Sequence, residues 1–412
     1  MKKIARAVLL LGLVSLLMDM ASEMLYPVGP IYLTVTLGAS MAWVGVIEGI
    51  AEAVAGLSKG YFGALSDATG RRRPFVSLGY GLSALSKPLP ALLASVGGVL
   101  GSRVLDRIGK GVRTAPRDAL LAGYATADNR GAVFGLHRAM DTVGAAIGPL
   151  LALLYLAWHP GDYAALFLIA FIPSALAVAT TFLVRETTFV PSERKPGIGE
   201  SLRFWRESSG SYRSLVVWLT LFAITNSSDA FLILRAKSLG FSDAWAIGGY
   251  IGYNLIYAAA AFPAGRLSDA IGRRWVMATG FTVYAAAYAC FALAGGIGSI
   301  ITGFALYGIY AALTEGVSRA WISDLVPNAR RGLAIGLQTT LASLGALVAS
   351  SWTGILWSAT GPRIPLLIAA GTGMAVGIGL MMYRERITPA GMTGATGEQT
   401  FRRPGGDGSD SG

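Results

Sequence analysis

The stretch Gly63-Ala-Leu-Ser-Asp67-Ala-Thr-Gly70-Arg71-Arg72 recurs later in the chain as Gly265-Arg-Leu-Ser-Asp269-Ala-Ile-Gly272-Arg273-Arg274. Eight of its ten positions are identical at a constant offset of 202 residues. Each copy follows one long apolar segment and precedes another, which is typical of a short charged turn between two membrane-spanning helices. The chain therefore contains two copies of one helical unit.

Composition predicts a membrane protein. Hydrophobic residues make up 53% of the 412 residues, charged residues make up 14%, and the mean hydropathy is +0.55. One soluble core could not bury so much apolar surface, whereas a bilayer accepts it. A helix needs about 20 apolar residues to cross the hydrocarbon core. We predict spans at 8–33, 42–64, 74–95, 97–122, 132–155, 163–184, 214–234, 244–266, 274–294, 297–320, 332–357 and 363–384.

The predicted fold class is an all-α membrane protein with twelve transmembrane helices in two pseudo-symmetric six-helix bundles. The charged span 97–122 is included because the repeat requires a helix there. Residues 1–184 form the first bundle and residues 214–384 the second. Residues 185–213 are predicted to be a polar cytoplasmic linker, and the composition of residues 385–412 predicts a disordered tail.

Lysine and arginine gather on one predicted side of the membrane. The formal charge of +11 suggests a nucleic-acid partner, but the loops opposite the N-terminal side hold only Lys237 and Arg363. This asymmetry predicts two cytoplasmic termini, a bacterial-type inner membrane and no nucleic-acid partner. The N-terminus resembles a signal peptide. Because Asp19 and Glu23 interrupt its apolar run, we predict an uncleaved first span instead.

The sequence shows no arrangement of residues suited to catalysis, a cofactor or a metal. Cys290 is the single cysteine, and His137 and His159 are isolated from each other and from other metal-ligating residues. The stretch Gly109-Lys110-Gly111 lacks the spacing and the hydroxyl of a phosphate-binding loop. We therefore predict that the protein is not an enzyme and has neither a cofactor nor a metal site.

The duplicated turn resembles the loop motif of the major facilitator superfamily, in which Gly, Asp, Gly and a basic pair recur at fixed spacing. The matching residues are Gly63, Asp67, Gly70, Arg71, Arg72, and in the second copy Gly265, Asp269, Gly272 and Arg273. The resemblance implies secondary active transport by two rocking halves. We expect the turn to act as a conformational latch. In it, an aspartate accepts hydrogen bonds from the free N–H groups at a helix N-terminus, and an arginine forms an ion pair with that aspartate.

Two further motifs extend this resemblance. The stretch Arg103-Val-Leu-Asp106-Arg107-Ile-Gly109 matches the superfamily's fourth-helix motif in part, since Asp106 and Arg107 replace the expected residues. The stretch Gly144-Ala-Ala-Ile-Gly148-Pro149 matches the fifth-helix motif of the antiporter branch, which implies export by exchange. Alternatively, Gly144 and Gly148 simply permit close helix packing, because small residues four apart are common in membrane bundles.

Ionisable residues at membrane depth are costly and mark partners or pathways. The candidates for proton coupling are Asp19, Glu23, Glu48, Glu52 and Asp141, with Glu48 and Glu52 preferred. The candidates for substrate binding are Arg103, Asp106, Arg107, Lys110, Asn226, Asp229, Tyr250, Asn254, Tyr307, Tyr310 and Glu315. Arg103, Arg107 and Lys110 are spaced i, i+4, i+7, which predicts a basic stripe on one helix face. Alternatively, the carboxylates are only structural partners of this stripe and the tyrosines only packing residues.

We therefore predict a monomeric secondary active transporter that exports a small organic or metal-chelate anion by proton coupling. Its predicted partners are this substrate, H+ and membrane lipids. Arginine's planar fork suits carboxylate or phosphate oxygens, which favours the anion. The alternatives are a multidrug-type exporter of cationic or neutral amphipathic compounds, a lipid flippase, and a non-transporting sensor.

Overall fold

A computed structural model describes residues 6–125, 129–186, 198–327 and 330–382. The predicted tail 385–412 and the side chain of Asp67 lie outside the described part. The described residues form helices and contain no β-strand. This part of the structure confirms the all-helical class.

The first half of the described chain comprises eight α-helices and a π-helical segment, Tyr32–Thr36. The helices are α1 Arg6–Leu25, α2 Val28–Ile31, α3 Met41–Thr69, α4 Arg73–Ser86, α5 Leu89–Leu93, α6 Val96–Tyr124, α7 Arg130–Trp158 and α8 Tyr163–Thr181. The linker contributes α9 Ile198–Glu207. The second half comprises α10 Gly210–Ala223, α11 Ala230–Ser238, α12 Asp243–Ile271, α13 Arg273–Ala292, α14 Ile297–Asp324, α15 Arg331–Thr360 and α16 Arg363–Met382.

The sequence repeat reappears in the helix bounds. Helix α3, Met41–Thr69, shifted by 202 residues coincides with α12, Asp243–Ile271. Packing repeats as well: α6 lies against α3 and α4, as α14 lies against α12 and α13. The two halves meet where α3 packs on α15 and where α7 packs on α12, and these two contacts are equivalent under the repeat.

Eight helical segments of the described chain are long and apolar enough to cross a membrane, the first of them running from α1 through the π-helical segment. In the described residues they are Arg6–Thr36, Met41–Gly63, Ala132–Trp158, Tyr163–Thr181, Arg273–Ala292, Ile297–Asp324, Arg331–Thr360 and Arg363–Met382. The other four predicted spans are not long and apolar enough. Helix α6 carries seven charged residues, α12 is rich in tyrosine, and the remaining two spans are each divided into short helices.

Three predicted continuous spans are broken in the structure. Pro27 separates α1 from α2 and Pro88 separates α4 from α5, because proline lacks the backbone N–H that a helix needs. The prediction of one helix over 214–234 is wrong for a different reason. Residues 224–229 contain amide and hydroxyl side chains that compete for backbone hydrogen bonds.

Two side chains of α15 form hydrogen bonds with backbone groups in the break at residues 224–229. The indole Nε1 of Trp352 donates to the carbonyl oxygen of Ile224 at 2.8 Å. The backbone N–H of Ser228 donates to Ser350 Oγ at 3.1 Å. Irregular backbone at membrane depth persists only where such partners satisfy its polar groups, so α15 is what makes this break possible.

The duplicated turn is stabilised by arginines and by a carboxylate that the sequence did not single out. Arg273 pairs with Asp269 at 2.5 Å and with Asp324 at 3.2 Å. In the first copy Arg72 donates to Ser66 Oγ at 2.7 Å. The backbone N–H groups that open α4, those of Arg72 and Arg73, donate to the carboxylate of Glu186 at 3.0–3.2 Å. Glu186 therefore caps the N-terminus of α4, and the latch role of Asp67 stays a prediction.

Linker helix α9 is tied to the second half. Phe204 is buried against the ring of Tyr212, with 5.3 Å between the ring centroids. Glu207 accepts from Arg203 at 2.7 Å and from Arg330 at 2.8 Å, and these two hydrogen-bonded arginines lower the pKa of the Glu207 carboxyl. The predicted linker therefore contains an ordered helix that contacts the start of α15.

The halves touch most closely where α3 crosses α15. A Cβ atom on Gly45 would collide with the backbone oxygen of Ser350, and a Cβ on Gly354 would collide with that of Met41. The backbone N–H of Ala42 donates to Ser358 Oγ at 3.1 Å. Near the same end, Tyr163 of the first half donates to Asp243 of the second at 2.5 Å. We call this end, which carries residues 37–40, 159–162 and 239–242, the closed end.

Toward the opposite end, charged side chains of both halves are exposed. Arg138 on α7 has a 75% exposed side chain, and Glu315 and Arg319 on α14 are also exposed. Charges in the interior of long helices are stable in water and not in lipid. We call this end, where these charged side chains are exposed, the open end.

We predict that Gly354→Ala destabilises the closed end. The added methyl group meets the α3 backbone, which cannot move without disturbing the whole crossing, and such overpacking costs about 1–3 kcal/mol. Thermal unfolding of the purified protein should shift to lower temperature. Gly336→Ala is the matched control, since it lies on the same helix and its Cβ would meet open space. Equal stability of the two variants would show that this contact does not hold the halves together.

Candidate functional site

A cavity of about 110 Å³ lies within the first half, among α1, α4, α6 and α8. Eight charged residues line it, which is unusual for a space at membrane depth. The cations are Lys87, Arg103, Arg107, Lys110 and Arg113, and the acids are Asp19, Glu23 and Asp106. We call this space the basic cavity.

Glycines let α6 carry its charges into the cavity. A Cβ on Gly109 would lie 2.6 Å from the backbone oxygen of Gly79, and one on Gly111 would collide with Ser58. Helix α6 therefore lies very close to α4 on one side and to α3 on the other. The predicted stripe Arg103, Arg107 and Lys110 faces the space that remains.

Three of the five cations are matched by carboxylates. Arg103 Nη2 lies 2.5 Å from Glu48 Oε1, and the Glu48 side chain is only 2% exposed. Arg107 Nη2 lies 3.1 Å from Glu52 Oε1. Two cations of the stripe are therefore paired with the two acids of α3. The alternative interpretation, in which these carboxylates are structural partners of the stripe, expected such pairing.

The third matched cation is Lys87, which pairs with Asp106. Lys87 Nζ lies 3.0 Å from Asp106 Oδ1 and also donates to Ser22 Oγ at 2.9 Å. Lys87 is 4% exposed and follows directly after α4, where Pro88 breaks the helix. Asp106, which we predicted to contact substrate, thus forms an ion pair with a lysine.

Lys110 and Arg113 are different, because neither forms an ion pair with any described residue. Arg113 donates to the Ser83 hydroxyl, and its guanidinium lies 4.6 Å from the centroid of the Tyr80 ring. Arg113 was missed in the sequence. It lies three residues after Lys110 on the same helix, so extending the basic stripe by one turn would have found it.

Two acids of the first half are shared with the second. Tyr250 on α12 donates to Glu23 Oε2 at 2.7 Å. Ser228, in the break before α11, donates to Glu48 Oε2 at 3.2 Å. The ring of Tyr250 also lies 5.3 Å from that of Tyr26, another lining residue. The basic cavity is therefore linked to the second half by hydrogen bonds.

The predicted residues of the second half form a separate polar cluster. Asp229 accepts from the hydroxyls of Tyr253 at 2.7 Å and Tyr307 at 2.5 Å. Tyr310 packs against Tyr307, with 5.3 Å between ring centroids. None of these residues lines the basic cavity.

The other second-half candidates are dispersed. Tyr257 donates to Glu315 at 2.9 Å, and the Asn254 amide donates to the carbonyl oxygen of its own helix at Tyr250. Asn226 is partly buried in the break between α10 and α11, and its Oδ1 has no hydrogen-bond partner among the described residues. The structure thus separates a charged site in the first half from an aromatic site in the second.

Two proton-coupling candidates from different helices meet each other. Asp19 on α1 and Asp141 on α7 lie near each other where these two helices pack together. Asp141 also accepts from Arg138 at 3.1 Å. Nearby, Ser15 Oγ lies 2.9 Å from Nε2 of buried His137. Asp19 lines the basic cavity, so this pair borders the unmatched cations.

The glycines of the antiporter-like motif lie behind this pair. A Cβ on Gly144 would collide with the backbone oxygen of Leu16, and a Cβ on Gly148 would collide with that of Met20. Both glycines therefore hold α7 directly against α1, and Pro149 follows inside α7. This packing is what brings Asp141 within reach of Asp19.

The sequence profile of the Major Facilitator Superfamily matches residues 11–256 and 245–404. The chain belongs to the major facilitator superfamily. It is 34% identical over 387 residues to an uncharacterised MFS-type transporter of Methanocaldococcus jannaschii, covering 92% of this chain and 95% of that one. It is 24% identical over 282 residues to the cis,cis-muconate transport protein of Acinetobacter baylyi, covering 62% and 64% of the two chains. A POT family transporter in complex with 5-aminolevulinic acid superposes with a TM-score of 0.78 at 13% identity, covering 93% of this chain and 97% of the other.

Membership of the major facilitator superfamily confirms the resemblance recognised in the duplicated turn. It identifies the chain as an integral membrane protein of a transporter family. In the described residues, no three histidine, cysteine, aspartate or glutamate side chains are placed to hold a metal ion.

We predict that Glu48 and Arg103 are energetically coupled. Removing one partner of a buried ion pair leaves an uncompensated charge and costs about 3–5 kcal/mol, whereas removing both costs much less. Glu48→Gln and Arg103→Gln should each lower the thermal stability of the purified protein, and the double variant should recover most of that loss.

Glu207→Gln on linker helix α9 serves as the control, since this carboxylate also pairs with arginine but at an exposed site. It should leave the unfolding temperature unchanged. Additive losses in the double variant would show that Glu48 and Arg103 do not stabilise each other.

Proposed function

We propose that this protein is a secondary active transporter that moves a small organic anion by alternating access, with H+ as the coupling ion. It crosses the membrane twelve times in two six-helix bundles, the broken helices counting as single spans. Both termini are cytoplasmic, in keeping with the one-sided distribution of lysine and arginine. The open end then faces the cytoplasm.

The observation that carries the anion proposal is the pair of unmatched cations in the basic cavity. Arg103, Arg107 and Lys87 are matched by carboxylates, while Lys110 and Arg113 are not. An unmatched charge in a low-dielectric site is costly unless a ligand of opposite charge completes it. A carboxylate or phosphate substrate supplies that charge.

Size and chemistry support a small substrate. A cavity of about 110 Å³ takes a compact molecule. The relative from Acinetobacter baylyi is described as a transporter of cis,cis-muconate, a six-carbon dicarboxylate. A lysine and an arginine three residues apart on one helix face suit a ligand of this kind, because both offer donors to carboxylate oxygens.

Alternating access is supported by the contacts between the halves. The closed end is held by the α3 to α15 crossing and by the hydrogen bond from Tyr163 to Asp243. Glu23 and Glu48 each accept a hydrogen bond from the other half, so opening the closed end requires both acids to find new partners. Export by exchange, which the Gly144-Gly148-Pro149 motif implies, stays a prediction.

We predict that Lys110→Gln and Arg113→Gln each weaken binding of a dicarboxylate about tenfold or more, since one charge-assisted hydrogen bond contributes about 1.5–3 kcal/mol. Binding of cis,cis-muconate, succinate and phosphoenolpyruvate to the purified protein is measured by calorimetry. The same protein is tested with the lipophilic cation tetraphenylphosphonium, an iron(III) citrate chelate, and phosphatidylglycerol.

Arg266→Gln is the matched control, because Arg266 is an exposed arginine on α12 that lies against the ring of Phe262, away from the cavity. It should bind the anions as the wild type does. Tight binding of the lipophilic cation with no response to any anion would favour a multidrug transporter. Lipid-dependent stabilisation alone would favour a lipid flippase.

A further inference from the structure

We propose that the break between α10 and α11 binds a monovalent metal cation of the size of Na+, held by oxygens of residues 225–229 and by Thr353 of α15. The site lies in the second half, apart from the basic cavity, and it does not depend on the anionic substrate. The cation stabilises the break in the shape that presents Ser228 to Glu48 of the first half.

Buried side-chain oxygens without a hydrogen-bond partner collect around this break. Six such oxygens occur among the described residues, and five of them belong to the break, to α13 or to α15: Asn226 Oδ1, Ser227 Oγ, Tyr284 OH, Tyr288 OH and Thr353 Oγ1. Ser227 is 4% exposed and Thr353 is 1% exposed, so bulk water does not reach them. Because a buried polar atom without a partner is costly, five in one region indicate a bound species that contacts them.

The backbone of the break offers further oxygens. The carbonyl oxygens of Thr225, Asn226 and Ser227 accept no hydrogen bond from any residue that the structure describes. They follow the C-terminal end of α10, which is the negative end of the helix dipole. Unwound backbone and half-helix C-terminal ends of this kind coordinate Na+ in other transporters.

Thr353 lies opposite the end of the break. One turn before it on α15, Ser350 Oγ accepts the backbone N–H of Ser228 at 3.1 Å. One turn after it, the ring of Trp357 lies 5.6 Å from that of Phe231. Since Thr353 is on the same face of α15 between these two contacts, its hydroxyl is opposite the stretch where the break passes into α11.

Helix α13 borders the break from a second side. The ring of Tyr284 lies 4.7 Å from that of Phe222, near the end of α10. Tyr288, one turn later, lies 4.1 Å from Tyr284 and 6.2 Å from Tyr307 by ring centroids. Tyr307 in turn donates to Asp229 at 2.5 Å. The unpaired hydroxyls of α13 therefore lie along the break rather than at a remote point.

The negative charge at this break has only neutral partners. Asp229 accepts hydrogen bonds from Tyr253 and Tyr307 and forms no ion pair with a described residue. Arg103, the first-half cation nearest along the hydrogen bonds, is already paired with Glu48. Asp229 is the N-cap of α11, and its full charge exceeds the half charge of that helix terminus. The region is therefore suited to a cation.

The helices around the break carry their basic residues far from it. Helices α10, α13 and α15 have arginine only within their first four residues, and α12 and α14 only within their last six. Arg235 of α11 donates to the backbone oxygens of Phe291 and Ala294, and Lys237 pairs with Asp243 at 2.7 Å. A buried charge without a partner is strongly unfavourable, so a bound cation is the group that compensates Asp229.

The oxygens present suit a monovalent cation. One carboxylate balances a single positive charge, whereas Ca²⁺ sites use several carboxylates and Mg²⁺ keeps several of its waters. Hydroxyl, amide and carbonyl oxygens are hard ligands, so such a site needs neither histidine nor cysteine. It is thus compatible with the described residues having no cluster of three histidine, cysteine, aspartate or glutamate side chains.

An ordered water molecule is the alternative occupant. Water can hydrogen-bond to the hydroxyls, but it leaves the charge of Asp229 uncompensated. Replacing Na+ by choline distinguishes the two occupants, because choline is too large for the site and leaves any water in place.

The first test measures thermal unfolding of the purified protein in choline chloride, with NaCl exchanged for choline chloride at constant ionic strength. A ligand that binds the folded state raises the unfolding temperature with its concentration, so Na+ should raise it. CaCl₂ and MgCl₂ should not. Asp229→Asn removes the charge that the cation compensates and should abolish the rise.

Thr353→Val provides a variant that folds. Its hydroxyl has no partner among the described residues, so the isosteric change should leave the protein in choline as stable as the wild type. The concentration of Na+ needed for half of the stabilisation should rise about tenfold or more, because one ligand is lost. A purely structural Thr353 would instead lower stability equally with and without Na+.

Thr340→Val is the matched control on the same helix. Its hydroxyl donates to the backbone oxygen of Gly336 at 3.0 Å and lies more than three turns from Thr353. This variant should keep the wild-type response to Na+. An equal loss of response in the two threonine variants would overturn the placement of the site at Thr353.

The second test measures equilibrium binding of radioactive Na+ to the purified protein in choline buffer. The wild type and Thr340→Val should bind Na+ saturably, and Asp229→Asn should not. Absence of saturable binding together with absence of stabilisation by Na+ overturns the inference, and displacement by K+ at lower concentration than by unlabelled Na+ overturns the assigned size. Failure of the anions to bind would overturn the proposed function and leave this site unaffected.

Discussion

The charges of α6 are the constraint on which the first half of this protein depends. A helix with seven charged residues is costly among apolar helices, and the cost falls with each charge that finds a partner. Helix α3 supplies Glu48 and Glu52 for two arginines, and the break after α4 presents Lys87 to Asp106. The close approach of these helices at Gly79, Gly109 and Gly111 makes the short distances possible. What the framework leaves unmatched, Lys110 and Arg113, is what a ligand can use.

The same packing logic places the carboxyl pair. Gly144 and Gly148 bring α7 onto α1, and Asp141 reaches Asp19 only because no side chains separate the two backbones. The interpretation of these glycines as an exchange motif and their interpretation as packing residues are thus not independent. Close packing is the physical means by which this motif would influence coupling.

Much of the fold follows from the sequence because the repeat is nearly exact in length: α3 and α12 share their bounds after a shift of 202 residues. The break at residues 224–229 could not be predicted, since no proline marks it and its stability depends on Trp352 and Ser350 of a distant helix. The basic stripe on α6 was predicted from spacing alone. Its pairing was not, because spacing within one helix does not reveal which acid on another helix lies opposite. Asp19 and Asp141 were both candidates, yet only the packing of α1 on α7 shows that they lie near each other.

The asymmetry between the halves suggests how binding and movement are connected. At the repeat offset Glu48 corresponds to Tyr250, so an acid of the first half is replaced by a hydroxyl in the second. Tyr250 donates to Glu23 and Ser228 donates to Glu48, so the neutral half stabilises acids of the charged half while the closed end is shut. The two hydrogen bonds thus join the charged half to the neutral half, and separating the halves at the closed end would require both acids to find new partners.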